Sequence, residues 1–405
     1  MPLKDEDVWI IGISMTKFKR YKDKDLIDLG SEAVLAALDD AGVTIGQMDV
    51  VASGNLNDAQ SGVGQRILRQ VGQTGVPVYN VTNACATGAT AARVVFTHIR
   101  AGEAQMGLAV GSEQMGKSGM LGASGKARKD GPSTFVRSGR FGAVMSTEGI
   151  LGTSLMPGTF ASGGMEYAYE NDGVGFEQFA KVAEKNHAHS VLNPLAQYQT
   201  AFSLEEIMGD EMIAYPNTKL MCCPTGDGAA AAVLVSGERL RSMAVEVQRR
   251  AVKISASVLT SDPWVDGGQI TYDVNTLTRK AADKAYEIAG VAPDDLDLVE
   301  LHDCFATAEL CHYDNLRLCG EGAAGEWIDK RGPWRDGEIP VNVSGGLLSK
   351  GHPLGATGVA NIFEVATHLR GEAGDRQIEG ATVGLTHVIG LGSACAIHIL
   401  EKSGL

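Results

Sequence analysis

The 405-residue chain lacks any apolar run near the ~18–20 residues needed to cross a bilayer, so a membrane-spanning helix is not expected. Its start, Met1-Pro2-Leu3-Lys4-Asp5-Glu6-Asp7, is acidic and does not read as a signal peptide, and its end, Ser403-Gly404-Leu405, is not the Ser-Lys-Leu peroxisomal address. Basic surplus is missing too. A formal net charge of −14 argues against nucleic acid as a partner, because phosphate binding needs a basic face. There is no Cys-x-x-Cys pair, and the seven scattered cysteines are an odd number, which points to a reducing compartment rather than a disulfide framework. The expected location is therefore cytoplasmic. His302, Cys304, Cys311 and His312 match no familiar zinc spacing, and no metal is expected.

What is present is chemistry on two turns. Cys85 sits in Asn83-Ala84-Cys85-Ala86-Thr87-Gly88-Ala89-Thr90, directly ahead of a helical pattern from Ala91 to Arg100. Unpaired N–H groups and the positive end of a helix dipole lower a thiol pKa from its ordinary ~8.5 and make the sulfur a usable nucleophile. Far down the chain, residues 342 to 358 carry five glycines in seventeen residues and hold one imidazole, His352, between Gly351 and Pro353. A Cys and a His on matched Gly-rich turns form a candidate nucleophile–base pair.

The two turns lie at equivalent places in two similar halves. Ala41-Gly42-Val43 followed by Asp49-Val50-Val51 is echoed, at the same spacing, by Ala289-Gly290-Val291 followed by Asp297-Leu298-Val299. Thr97-His98-Ile99-Arg100 is echoed by Thr367-His368-Leu369-Arg370, so His98 and His368 read as structural residues near helix ends. Helices are expected over Leu29 to Asp40 and Leu277 to Ile288, with apolar strands at Met106 to Gly111, Ala381 to Leu385 and Asp227 to Val235. Strands alternating with helices predict an α/β protein with mainly parallel sheets, layered α/β/α/β/α, its halves dividing at residues 1–255 and 256–405. Residues 118 to 215 interrupt the pattern. They read as an excursion over the active site with one good helix, from Gly175 to His189.

The Cys85 turn, the Gly351-His352-Pro353 segment and the two-half repeat resemble the thiolase superfamily. His302-Asp303-Cys304-Phe305 is similar to the fingerprint of its sterol carrier protein type, as are Lys185-Asn186-His187-Ala188-His189-Ser190 and Cys222-Cys223-Pro224-Thr225-Gly226-Asp227-Gly228. An appended sterol carrier domain is not expected in a chain of this length. The resemblance implies the thiolase fold, two βαβαβαββ halves, and cleavage of 3-oxoacyl-CoA with CoA, or the reverse Claisen condensation, in β-oxidation or related lipid metabolism. It makes Cys85 the acyl-carrying nucleophile and His352 its base and enolate-oxygen donor. Ordinary thiolases place an acid/base cysteine in a Cys-x-Gly turn, whereas this turn reads His387-Val388-Ile389-Gly390, with Val388 at the cysteine position. Cys304 is expected to take over that role, and a thiol suits proton transfer to carbon when its pKa lies near the working pH. His302 would support the first oxyanion hole, and the backbone N–H groups of Cys85 and Gly390 the second. His387 is a further candidate. The other cysteines, 222, 223, 311, 319 and 395, read as small buried hydrophobes, and His187 and His189 only weakly as lining residues.

Coenzyme A is expected as co-substrate, with no covalently bound cofactor. Its phosphates call for basic residues, and Lys126, Arg128, Lys129, Arg137 and Arg140 cluster in the excursion without singling one out. A homodimer or higher homo-oligomer is expected, pairing near Val78 to Thr82. The competing reading is a retro-aldolase or other C–C lyase on a CoA thioester, working with a small partner that carries an OB-fold and a zinc ribbon. A lipid carrier would have no need of a nucleophile, base and acid on three turns.

Overall fold

The computed structural model describes residues 4–115, 137–139, 142–144, 155–262, 274–391 and 394–405. In the first half, β1 (Val8–Met15), α1 (Leu26–Ala41), β2 (Val50–Gly54), α2 (Val63–Val71), β3 (Val78–Val81), α3 (Thr87–Arg100) and β4 (Met106–Gln114) alternate before the excursion. The chain returns as β5 (Asp227–Ser236), every residue of which is buried. The second half runs β6 (Val252–Thr260), α6 (Val274–Ala289), β7 (Leu298–Glu300), α7 (Ala306–Asn315), α8 (Thr357–Arg370), β8 (Val383–Gly390) and β9 (Ala394–Lys402).

The strands form one ladder in the order β7-β8-β9-β6-β1-β5-β4-β2-β3. Each half thus repeats one order, and the short antiparallel pairing of Trp9 with Lys253 and Ile10 with Val252 joins them. The sheets are more mixed than expected. β2 pairs in parallel with β3 and β4, as β7 does with β8, but β5 and β9 return antiparallel to their neighbours. In the second half the counterpart of β3 shrinks to a single parallel bridge, Val299 to Val341.

The sequence echoes have physical causes. Asp49 Oδ2 accepts from the amides of Gln105 and Met106 and pins the start of β4. Asp297 Oδ2 does the same for Thr382 and Val383 at β8. Gly42 and Gly290 close α1 and α6 at φ 65° and 71°, in the left-handed region that favours glycine. His98 pairs with Glu103, and His368 with Glu364 and the Ile378 amide, as structural residues.

Three apolar layers give the five-layer body. α1 and α2 cover the outer face of the first sheet. α3 and α8 lie between the sheets with Ala91, Val95, Val359 and Val365. α6 and α7 cover the second sheet, together with the excursion helices. The expected helix appears as α5 (Phe176–Ser190), and a second, α4 (Leu155–Glu170), was not anticipated. Its small residues look like loop composition, yet one of them serves close packing: a Cβ on Gly164 would stand 2.6 Å from Thr307 Cβ on α7.

Candidate active site

The halves meet through glycines, and this brings the two turns together. A Cβ on Gly111 would lie 2.1 Å from the Gly355 carbonyl, and one on Gly358 would lie 2.2 Å from the Ala89 amide. Only bare backbone allows the His352 turn to seat against β4 and the start of α3. Glu113, buried at the end of β4, locks the seam by accepting from the amides of Leu56 (2.8 Å), Asn57 (3.3 Å) and Gly355 (3.2 Å).

Cys85 stands two residues before α3, behind Ala84 at φ 47°. Thr87 holds this turn: its hydroxyl donates to the Ala84 carbonyl (2.6 Å) and accepts from the Asn83 amide (2.8 Å). The helix start does not lower the thiol pKa. Burial, reinforced by the Glu113 carboxylate, pushes it up to about 12, although the amides of Cys85 and Leu391 pull the other way. Desolvation outweighs a few oriented N–H groups, so Cys85 rests as a neutral thiol and needs a base.

Two imidazoles are adjacent. Cys85 Sγ and one ring nitrogen each of His302 and His352 lie within 4.8 Å of one another, all three residues buried. The Thr357 hydroxyl donates to the Pro353 carbonyl (3.0 Å), so it accepts from His352 Nδ1–H (2.8 Å). This fixes the tautomer and leaves a bare lone pair on Nε2, which has no partner among the described residues. Burial, with Lys350 nearby, lowers the His352 pKa to about 3 and keeps the ring neutral. His302 packs edge-on to it at 5.2 Å between ring centroids.

Cys85, Cys304 and His352 line one cavity with Met156, Cys223, Phe305 and Leu354. Cys304 comes from the turn that enters α7, and burial lifts its pKa well above the ordinary thiol range rather than near neutrality. Asp303 anchors that turn. Its carboxylate accepts from the amides of Leu347 (2.7 Å) and Leu348 (3.2 Å) in the one-turn helix Gly346–Ser349, and from Asn186 Nδ2 (2.8 Å). The Cys304 and His352 turns are therefore one unit. Val388 packs against Cys85, Met115 and Leu354 and contributes no ionisable group.

Other expected residues fall elsewhere. His387 lies behind His302, accepting from the His302 amide (3.4 Å), and is not on the cavity wall. The amide directed at the Cys85 sulfur from this turn belongs to Leu391, one residue beyond Gly390. His187 contacts Ser349 and the Leu220 carbonyl, and His189 the Asn342 carbonyl and the Arg335 amide, so both are structural. Cys223 was expected only to fill space. It instead reaches the cavity because its amide pairs with the Cys304 carbonyl (3.0 Å). The sequence signal for it was the Cys222–Gly228 stretch itself. Glu113 carried no local motif. Lys126, Arg128, Lys129 and Arg140 lie outside the described residues, and of Arg137 only the backbone, in a short strand, is described.

Comparison with known proteins matches residues 8–201 to the family model "Thiolase, N-terminal domain" and residues 269–402 to "Thiolase C-terminal domain-like". Human sterol carrier protein 2 is 39% identical over 97% of this chain and 72% of its own length. The chain belongs to the thiolase family. An acetyl-CoA acetyltransferase of Methanothermobacter thermautotrophicus is 34% identical over 98% of this chain and 100% of its own. Among solved structures, the Ltp2-ChsH2(DUF35) aldolase superposes at TM-score 0.79 with 22% identity, covering 100% of both chains. Human mitochondrial 3-ketoacyl-CoA thiolase in complex with CoA does so at 0.70 with 18% identity, covering 98% of both. At those identities the structures establish the thiolase fold and nothing finer.

Proposed function

We propose that this thiolase moves acyl groups between CoA thioesters, cleaving 3-oxoacyl-CoA with CoA, or condensing in reverse, through an acyl group on Cys85. The observation that carries the reading is the convergence of a neutral nucleophile, a bare imidazole nitrogen and a second thiol on one cavity.

In the cleavage direction His352 Nε2 takes the Cys85 proton as sulfur attacks the 3-keto carbon. The bond between carbons 2 and 3 then breaks and leaves the acyl group as a thioester on Cys85. The departing enolate keeps its charge on the thioester oxygen, where protonated His352 and His302 stabilise it. The neutral Cys304 thiol delivers a proton to carbon 2, giving acetyl-CoA. Cys304 thiolate then takes the proton of incoming CoA, whose sulfur displaces Cys85, and the proton on His352 returns to Cys85. The amides of Cys85 and of the Gly390–Leu391 turn supply donors for the tetrahedral oxyanion. CoA binding by the human mitochondrial relative supports CoA as co-substrate.

A retro-aldol reading draws support from the aldolase of the same fold, and there a small OB-fold and zinc-ribbon partner is the natural addition. The two reactions differ in stoichiometry. Thiolysis consumes one CoA for each carbon–carbon bond broken, while a retro-aldol cleavage consumes none. Incubating the protein with 3-oxoacyl-CoA and with 3-hydroxyacyl-CoA esters, each with and without CoA, tests this: cleavage of the hydroxy ester without CoA, with no CoA-dependent cleavage of the oxo ester, overturns the acyltransferase reading. The edge strand β3, which has no second neighbour among the described residues and leaves Tyr79 42% exposed, supports a homo-oligomer. Light scattering at the mass of one chain, 42.5 kDa, would refute it.

A further inference from the structure

The active-site trio has the donor set of a metal centre as well as of a catalyst. Cys85 Sγ and one nitrogen each of His302 and His352 lie within 4.8 Å of one another, and the three residues are 4%, 1% and 1% exposed. His352 Nε2 and His302 Nδ1 have no hydrogen-bond partner among the described residues. A tetrahedral Zn²⁺ with one sulfur and two imidazole ligands holds those atoms roughly 3.3–3.6 Å apart, so they need to close by only about 1 Å. His352 already has the outer-sphere bond typical of a metal-binding imidazole, Nδ1–H donated to Thr357 Oγ1 at 2.8 Å. Cys85 and His352 also line the cavity that Met156 and Phe305 border.

We propose that this trio is an inhibitory site for a borderline-soft divalent cation of the Zn²⁺ class. The cation bonds to Cys85 Sγ as the thiol proton leaves to solvent, and it occupies the lone pair that His352 uses as base. Nucleophile and base are silenced together, and a chelator restores both. Because a proton is released, affinity rises with pH. The inference uses the same residues as the proposed acyl transfer, but its readout does not depend on turnover.

The test is titration of the metal-free, full-length protein with Co²⁺ alone, followed by absorption. The expected result is one Co²⁺ per chain, with a near-ultraviolet thiolate charge-transfer band and visible bands of tetrahedral intensity. Cys85→Ser, with its fold checked by circular dichroism, loses the charge-transfer band. Cys319→Ala, outside the cavity, keeps it. Acylating Cys85 of the unmutated protein from an activated thioester also abolishes the band, which needs no variant. Absence of the band at saturating Co²⁺, or its survival in Cys85→Ser or after acylation, overturns the proposal. A protein that acylates but gives no band refutes this inference alone. One that gives the band but never acylates refutes the acyl-transfer reading alone.

Discussion

Alkylation of Cys85 by iodoacetamide as a function of pH probes the resting state of the nucleophile. Burial and Glu113 move its pKa from the ordinary 9.0 to about 12. At pH 8 that change reduces the thiolate fraction from about one in ten to about one in ten thousand. Carbamidomethylation of Cys85 should therefore run about a thousandfold slower than that of a free thiol, before any penalty for access. Its logarithm should climb with unit slope from about pH 6 to about pH 10 without levelling. Peptide mass spectrometry at timed quenches reads the rate at Cys85 separately from the half-buried Cys222 and Cys319. A fast plateau across about pH 5 to 9 would reveal a preformed thiolate–imidazolium pair. That result would refute the argument that His352, with its pKa lowered to about 3, waits as a neutral base.

Cys304→Ala should keep an acylatable Cys85 yet lose solvent deuterium exchange at the α-carbon of acetyl-CoA, followed by NMR; undiminished exchange would move the proton-transfer role away from Cys304. Gly346→Ala should cost several kcal/mol in urea unfolding or prevent folding, because its Cβ would stand 2.1 Å from Asp303 Oδ2 at φ 58°; a loss below about 1 kcal/mol would show the Asp303 clamp to be slack. Acid should destabilise the protein early. Burial lowers His312, His352 and His398 from 6.5 to about 3, and holds His189, His302 and His387 well below the ordinary imidazole range. Their folded-state pKa values lie below the unfolded ones, so their contribution is complete above about pH 6.5 and shrinks as pH falls toward 3. The loss is roughly 1.4 kcal/mol per imidazole per pH unit, and a Tm unchanged between pH 7 and pH 5 would contradict it.

The repeat was legible because short motifs recur at the same spacing: Gly42 and Gly290 end their helices locally, while Asp49 and Asp297, a few residues on, pin strands 56 and 85 positions away. The Cys85, His302, Cys304 and His352 positions were legible through the family motifs; the structure places Cys85, Cys304 and His352 on one cavity and a His302 nitrogen within 4.8 Å of Cys85 Sγ and His352. What stayed hidden depends on three-dimensional surroundings. The thiol pKa argument failed because a sequence shows the helix start but not the burial or Glu113. Cys223 looked like core filler because its role comes from pairing with Cys304, 81 positions away along the chain. The helix Leu155–Glu170 was missed because its glycines weaken the helical signal, and the close approach of Thr307 on the facing helix, which accounts for Gly164, is visible only in three dimensions.

Intact-protein and peptide mass spectrometry after rapid quenching with a panel of 3-oxoacyl-CoA esters tests the central claim most directly. The account predicts an acyl group on Cys85 with the mass of the substrate's acyl portion, discharged when CoA is added. No adduct on Cys85 under turnover, or an adduct on Cys304 or Cys223 instead, would contradict it.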